Sequence, residues 1–347
     1  MDGGALLVTA TGEAAELDLT DRQLLNALQG LVQLIERPFA AIADELGIPE
    51  DDVLARAQAL RDAGVLRHLS PIFDVFRLGY KSALIAVAVA PERLEEAAAV
   101  ISAHPGVSHN YAREHRFNIW FVMAIPRERD FEGEVARLAQ AAGATRHIVL
   151  PAIKLFKIAV EYDMVGRTTD SKPKAAKPKA PRRELTDEER AIIRVTQDDL
   201  PLIDRPWAPA ARELGMSEAD LLARLRALQD EGILRRFAAV LRHNEAGFSA
   251  NGMACWRVPE DRIEEVGEQL AADSRVSHCY WRPTFEDWPY PLFSMVHCQT
   301  REQVRAVVQE LSRTVGIANY EILWSAKEFK KERVRYFVDD PAPAHAR

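Results

Sequence analysis

Two stretches of this 347-residue sequence carry the same polar pattern, His109-x-Tyr111-x-Arg113 and His278-x-Tyr280-x-Arg282. Histidine changes charge near neutral pH and so serves as a general acid or base. A tyrosine hydroxyl is a second proton donor, and an arginine fork holds a carboxylate through two parallel hydrogen bonds. Side chains alternate between the faces of a strand, so an extended chain puts each trio on one face. Donors beside an anion holder point to proton delivery onto a substrate that carries carboxylates. The stretches then diverge. The first continues Glu114-His115-Arg116-Phe117, and the second continues PTFEDWPYP, with Phe285, Trp288 and Tyr290.

A single histidine on a strand is ordinarily a hydrogen-bonded structural residue. Repetition at matched spacing is what makes His109, Tyr111, His278 and Tyr280 catalytic candidates, with Arg113 and Arg282 as carboxylate binders. His115 prolongs the polar face of the first stretch and lacks a counterpart in the second, so it is the leading candidate acid. His243, in LRHNEAGF, follows the wing strand of the second copy, with Arg242 beside it. His297 ends a strand, and His68, His104 and His147 read as structural. Trp288 and Tyr290, with Phe285, read either as walls for a flat ligand or as packing within their own loop.

The bulk sequence sets the frame for these residues. It is 48% hydrophobic and 28% charged, as soluble globular chains are. No apolar run approaches the roughly 18 to 20 residues of a membrane helix, and the acidic start lacks a signal-peptide pattern, so a cytoplasmic protein is expected. Three cysteines without a CxxC argue for a reducing compartment and against a thiolate metal site. No P-loop or glycine-rich dinucleotide fingerprint is present, so no external cofactor and no protein-held metal are expected. The net charge is −7; residues 166–184 carry seven Lys or Arg against one Asp and one Glu, which leaves about −12 on the rest.

The chain repeats itself at an offset of about 168 residues: ERPFAAIADELGI at 36 is echoed by DRPWAPAARELGM at 204. Each copy opens with three helices, with Thr20 and Thr186 as N-cap candidates, and then a strand that reads as a β-wing. The remainder of each copy alternates β-α-β-β-α-β, the ferredoxin-like split motif. The fold class is therefore α+β, a tandem repeat of a winged helix-turn-helix and a ferredoxin-like domain. Boundaries fall at 17–78 and 79–165 for the first copy, 166–184 for a basic Pro/Lys/Ala linker, and 185–241 and 242–338 for the second. A helix-turn-helix invites a DNA-reading role. Both third helices, however, begin with acids (Glu50-Asp51-Asp52; Glu218 and Asp220), the wrong sign toward phosphates, so no DNA partner is expected.

This order resembles the Lrp/AsnC family. ERPFAAIADELGI, HNYAREHRFNIWF, SHCYWRPTFEDWPYPLFSMVH and KEFKKERVRYF go further and resemble the siroheme decarboxylases, Lrp-like proteins that usually have two unlike subunits. Residues 17–165 are similar to one subunit type and residues 183–338 to the other. The resemblance implies that siroheme or a related iron tetrapyrrole is the partner. It also implies that carbon dioxide leaves two acetate side chains to give 12,18-didecarboxysiroheme. The same resemblance makes His243 a further catalytic candidate, with Arg242 as a carboxylate partner. Whether His243 or His115 ligates the siroheme iron stays open, as does a homodimer of the fused chain. The other reading is an Lrp/AsnC-type transcriptional regulator or a haem-sensing binding protein.

Overall fold

The computed structural model describes residues 6–8, 14–30, 32–158, 183–241 and 250–338. The first copy runs β1 (Leu6–Val8), β2 (Ala14–Glu16), α1 (Leu19–Gln29), α2 (Pro38–Leu46), α3 (Glu50–Asp62), β3 (Leu66–Phe73), β4 (Tyr80–Ala88), α4 (Leu94–Ala103), β5 (Val107–Arg113), β6 (Ile119–Pro126), α5 (Phe131–Ala141), β7 (Arg146–Leu150) and β8 (Lys154–Ile158). The second runs α6 (Asp187–Thr196), α7 (Ala208–Glu213), α8 (Glu218–Asp230), β9 (Leu234–Leu241), β10 (Ala250–Trp256), α9 (Ile263–Ala272), β11 (Val276–Trp281), β12 (Leu292–Cys298), α10 (Arg301–Val315) and β13 (Tyr320–Lys331). The expected linker lies outside the described residues except for Arg183 and Glu184. No described helix is long and apolar enough to cross a membrane. The chain divides into two compact units, one holding the helix-rich parts of both copies and the other both αβ parts.

In the helix-rich unit, α1 is capped by Asp18 rather than Thr20. The Asp18 carboxylate accepts the Asp21 N–H at 2.7 Å, and Arg56 holds it from α3 at 2.8 Å. Thr186 caps α6 through a reciprocal box with Glu189. The repeated Arg-Pro motif has a local cause, since Arg37 pairs with Glu50 and Arg205 with Glu218, each joining the entry of the second helix to the start of the third. The two strands that follow the third helices, β3 and β9, pair antiparallel with each other, Leu66 opposite Leu241 and Leu69 opposite Ala239. Each strand alone would leave an open ladder, and the repeat supplies a complementary partner. The copies interlock further through Trp207, which is fully buried and donates Nε1–H to Ile35 O at 2.7 Å.

Every arginine on the two third helices is engaged within this unit. Arg56 bonds Asp18 and Asp21, Arg61 reaches Leu200 O, Arg224 faces Glu188, and Arg226 donates to Leu34 O at 2.7 Å. The cations that a reading helix turns toward phosphate are here part of the scaffold.

The αβ unit is built on a nine-stranded sheet in the order β7-β4-β6-β5-β13-β10-β12-β11-β8. Both halves contribute a strand to the other. β13 pairs β10 with its first part and crosses to β5 with its second, while β8 leaves the first copy to pair β11. The expected single last strand of the first copy is split into β7 and β8 at Pro151, which lacks the N–H that a ladder needs. Only residues 151–153 separate the two edge strands, at most about 14 Å of chain. Nine strands laid flat would span roughly 38 Å at about 4.8 Å each, so the sheet must curl. Its outer face is covered by α4 and α5 in one half and α9 and α10 in the other. Its inner face carries one cluster drawn from both copies, including Trp120, Leu150, Cys255, Trp288, Phe293 and Leu323.

Candidate active site

The helix contacts decide which way each repeated trio faces. Asn110 on β5 donates to Ala98 O on α4, and Cys279 on β11 contacts Gly267 O on α9. By alternation, His109, Tyr111 and Arg113 in one half and His278, Tyr280 and Arg282 in the other point to the inner face.

Burial then limits what these trios do. Arg113 is buried, and its Nη1 donates to Leu323 O at 3.1 Å and Ser325 Oγ at 3.2 Å. Arg282 likewise donates to Leu150 O at 2.5 Å and lies over the Tyr280 ring. Burial pushes both guanidinium groups down to about 10, still charged at neutral pH. Both tie neighbouring strands together, and neither has a carboxylate partner among the described contacts. His109 Nδ1 meets Ser108 Oγ at 2.8 Å. His278 shares Ser277 Oγ with His297 at 2.9 Å each. Burial, and secondarily His297, pushes His278 down to about 4, so it is neutral near pH 7. Arg242 and His243 lie outside the described residues.

His115 is placed differently. β5 ends at Arg113, and the bend after it is held by His115 N–H to Arg113 O at 2.9 Å and by Glu114 to Arg301 at 2.6 Å. The imidazole packs beside Phe117 and edge-on to Trp288, with centroids 5.4 Å apart in the second case. It reaches a cavity of about 970 Å³ lined also by Arg116, Arg146, Glu286, Asp287, Tyr290 and Glu321. Its Nδ1 accepts the Phe117 N–H at 3.0 Å, so the ring proton of the neutral form sits on Nε2. Nε2 lies 3.3 Å from Glu321 Oε2, too far off line for a hydrogen bond, and that oxygen is shut from solvent without a hydrogen-bonding partner. Burial lowers the His115 pKa from 6.5; the Glu321 charge opposes this and Arg116 adds to it.

The loop after β11 forms the opposite wall. Phe285 and Trp288 exchange backbone hydrogen bonds of 2.8 and 2.9 Å, closing a tight turn. Of the two readings of Trp288, the structure favours packing: it is 0% exposed, wedged against Trp120 and Tyr290 with centroids 5.1 Å away in each case. It anchors the loop and supports His115 from behind. Tyr290 does line the cavity; burial, then the Glu321 charge, holds its phenol above the usual range, so it stays protonated. Arg146 pairs with Asp287 at 2.7 Å, and Arg116 donates to Asp287 O, so two cations are fixed at the rim. Glu321, Arg116 and Arg146 were not among the residues expected from the sequence. Glu321 opens β13, 206 positions from His115, and only the strand crossing brings them together.

Comparison with known proteins agrees with this architecture. Residues 77–157 and 245–330 match the AsnC-like ligand binding domain, and residues 21–67 and 189–235 match the siroheme decarboxylase NirDL-like HTH domain. The chain is 41% identical over 323 residues to a siroheme decarboxylase of Hydrogenobacter thermophilus, covering 92% of this chain and 95% of that one. It is 32% identical to the siroheme decarboxylase NirDL subunit of Paracoccus pantotrophus, covering 91% and 96%. The crystal structure of the siroheme decarboxylase NirDL in co-complex with an iron-uroporphyrin III analogue aligns at a TM-score of 0.74 and 37% identity, over 92% of this chain and 95% of that one. The chain belongs to the siroheme decarboxylase family, in the NirDL form that carries both halves on one polypeptide.

Proposed function

We propose that this enzyme removes carbon dioxide from two acetate side chains of siroheme, giving 12,18-didecarboxysiroheme, and that His115 supplies the proton. Each step exchanges a carboxylate for a hydrogen: an acetate side chain and one proton become a methyl group and carbon dioxide. The electron pair of the breaking C–C bond flows into the tetrapyrrole, and proton transfer to the methylene carbon left behind, directly or by way of the ring, completes the step. The balance involves no net oxidation, so no external redox or organic cofactor is required. The observation that carries this reading is His115 at a cavity whose rim also presents Arg116 and Arg146. Arginines there suit the many carboxylates of the substrate. Arg113 and Arg282 support the walls from within, and the neutral Tyr290 hydroxyl is a second donor at the same cavity.

A positioned acid contributes about 10²- to 10⁴-fold, roughly 3 to 5 kcal/mol of barrier at 1.36 kcal/mol per tenfold. Purified protein incubated anaerobically with siroheme, with no nucleotide, flavin or metal added, is expected to turn it over. His115→Ala is expected to bind siroheme, judged by its visible spectrum, while losing most turnover. Normal turnover by His115→Ala would remove this residue from the chemistry.

A further inference from the structure

The carboxylate of Glu321 faces His115 across 3.3 Å, with its inner oxygen closed to solvent and lacking a hydrogen bond. A carboxylate oxygen left this way loses the hydration it would have in water, and such an oxygen is normally matched to a cation or a donor. The charged and titratable groups around the pair are few. Arg116 and Arg146 are turned to Asp287 at the rim. Glu286 and Asp287 come from the loop after β11, together with Tyr290, whose hydroxyl interacts with the Glu321 side chain. Opposite Glu321 on β10 sits Cys255, whose buried thiol is held neutral by desolvation. No lysine or arginine is recorded in a salt bridge with Glu321 among the described residues, so His115 is the group able to become its counter-charge.

We propose that Glu321 is the charge partner and positioning residue of His115 in the decarboxylation. Neutral His115 carries its proton on Nε2, facing Glu321, and its Nδ1 is occupied by the Phe117 N–H. To act as an acid, the imidazole must take a second proton on Nδ1, releasing the Phe117 N–H, in a largely apolar setting against Phe117 and Trp288. An opposite charge within about 4 to 6 Å favours the charged form by about 1 to 3 pH units. Glu321 therefore offsets part of the burial that lowers the His115 pKa. Two acetates consume two protons, so the pair must be reloaded once within each complete conversion. This inference rests on the reading of His115 as the acid.

The test is the pH dependence of anaerobic siroheme turnover by the full chain carrying Glu321→Gln, with Glu321→Asp and His115→Ala alongside. Tetrapyrrole binding is followed from the visible spectrum. Glu321→Gln is expected to bind siroheme normally and to run about tenfold slower at neutral pH, corresponding to about one pH unit. Its falling limb should move to lower pH, so the deficit closes as the medium is acidified. Glu321→Asp keeps the charge and should keep a falling limb close to that of the wild type at a reduced rate. An unchanged profile for Glu321→Gln overturns the proposal. So does an equal loss at every pH, which is what a merely structural role gives. If Glu321→Gln fails to fold, an Asp variant whose limb shifts to lower pH overturns it instead. Wild-type turnover in His115→Ala removes the acid reading and this pairing together. Loss in His115→Ala with an unmoved Glu321→Gln profile removes the pairing alone.

Discussion

The exchanged strand β8 should betray itself through Gly267. This glycine lies inside α9 of the second copy, and a Cβ built on it would sit 2.4 Å from Cζ of Phe156 on β8 of the first copy. Contact between carbons is comfortable near 3.5 to 4.0 Å, so the ring and its strand would have to retreat by about an ångström. Helix propensity acts the other way, since alanine is favoured over glycine in a helix interior by about 1 kcal/mol. Overpacking costs about 1 to 3 kcal/mol, which leaves Gly267→Ala between neutral and destabilising by about 2 kcal/mol. Phe156→Ala opens the space, at a cost of about 2 to 3 kcal/mol for a ring that is only partly buried. In that background the clash is gone, and Gly267→Ala should stabilise by up to about 1 kcal/mol. Gly267→Ala thus turns from neutral or destabilising to stabilising with the second, a coupling of about 1 to 3 kcal/mol. Urea midpoints of the four proteins, followed by far-UV circular dichroism, measure it. Equal effects of Gly267→Ala in both backgrounds would refute the seating of Phe156 on α9 and with it this part of the strand exchange.

Two further outcomes follow from particular residues. The unfolded chain protonates His278 near 6.5, whereas the folded protein does so only near 4. The folded state therefore loses stability as pH falls from 6.5 to 4, by up to about 3 kcal/mol, and His278→Leu should flatten that part of the melting-temperature profile. Because Arg56, Arg61, Arg224 and Arg226 are all engaged within the helix-rich unit, duplex DNA at physiological salt should give no gel shift. Submicromolar, sequence-selective binding would overturn the scaffold reading of those helices.

Much of the fold was legible because its signals are local. The Arg-Pro motifs, the left-handed Gly47 that ends α2 and the alternation of β5 and β11 each act over a few residues. Pairing across copies was not legible. β3 and β9 look like two wings because nothing in either strand says which partner completes it, and the split at Pro151 reads as a dent in one strand. The same long-range crossing hid Glu321. Aligning EILWSAKEFK with IVLPAIKLFK sets Glu321 against Ile148, an acid where the other copy is apolar. That departure from the repeat was the available signal. Trp288 stayed open between two readings for a different reason: an aromatic in a divergent loop can wall a ligand or pack, and a large apolar ring lowers the free energy most by filling the interior.

The central claim is that a proton from the His115 cavity replaces each departing carboxylate. Mass spectrometry of siroheme converted anaerobically in D₂O tests it most directly, with wild-type protein and His115→Ala run side by side. The account predicts two successive losses of carbon dioxide from the wild-type reaction, with one deuterium in each new methyl group, and siroheme bound but largely unconverted by the variant. Siroheme returned intact by the wild-type protein, or the doubly decarboxylated product formed as fast by His115→Ala, would contradict it.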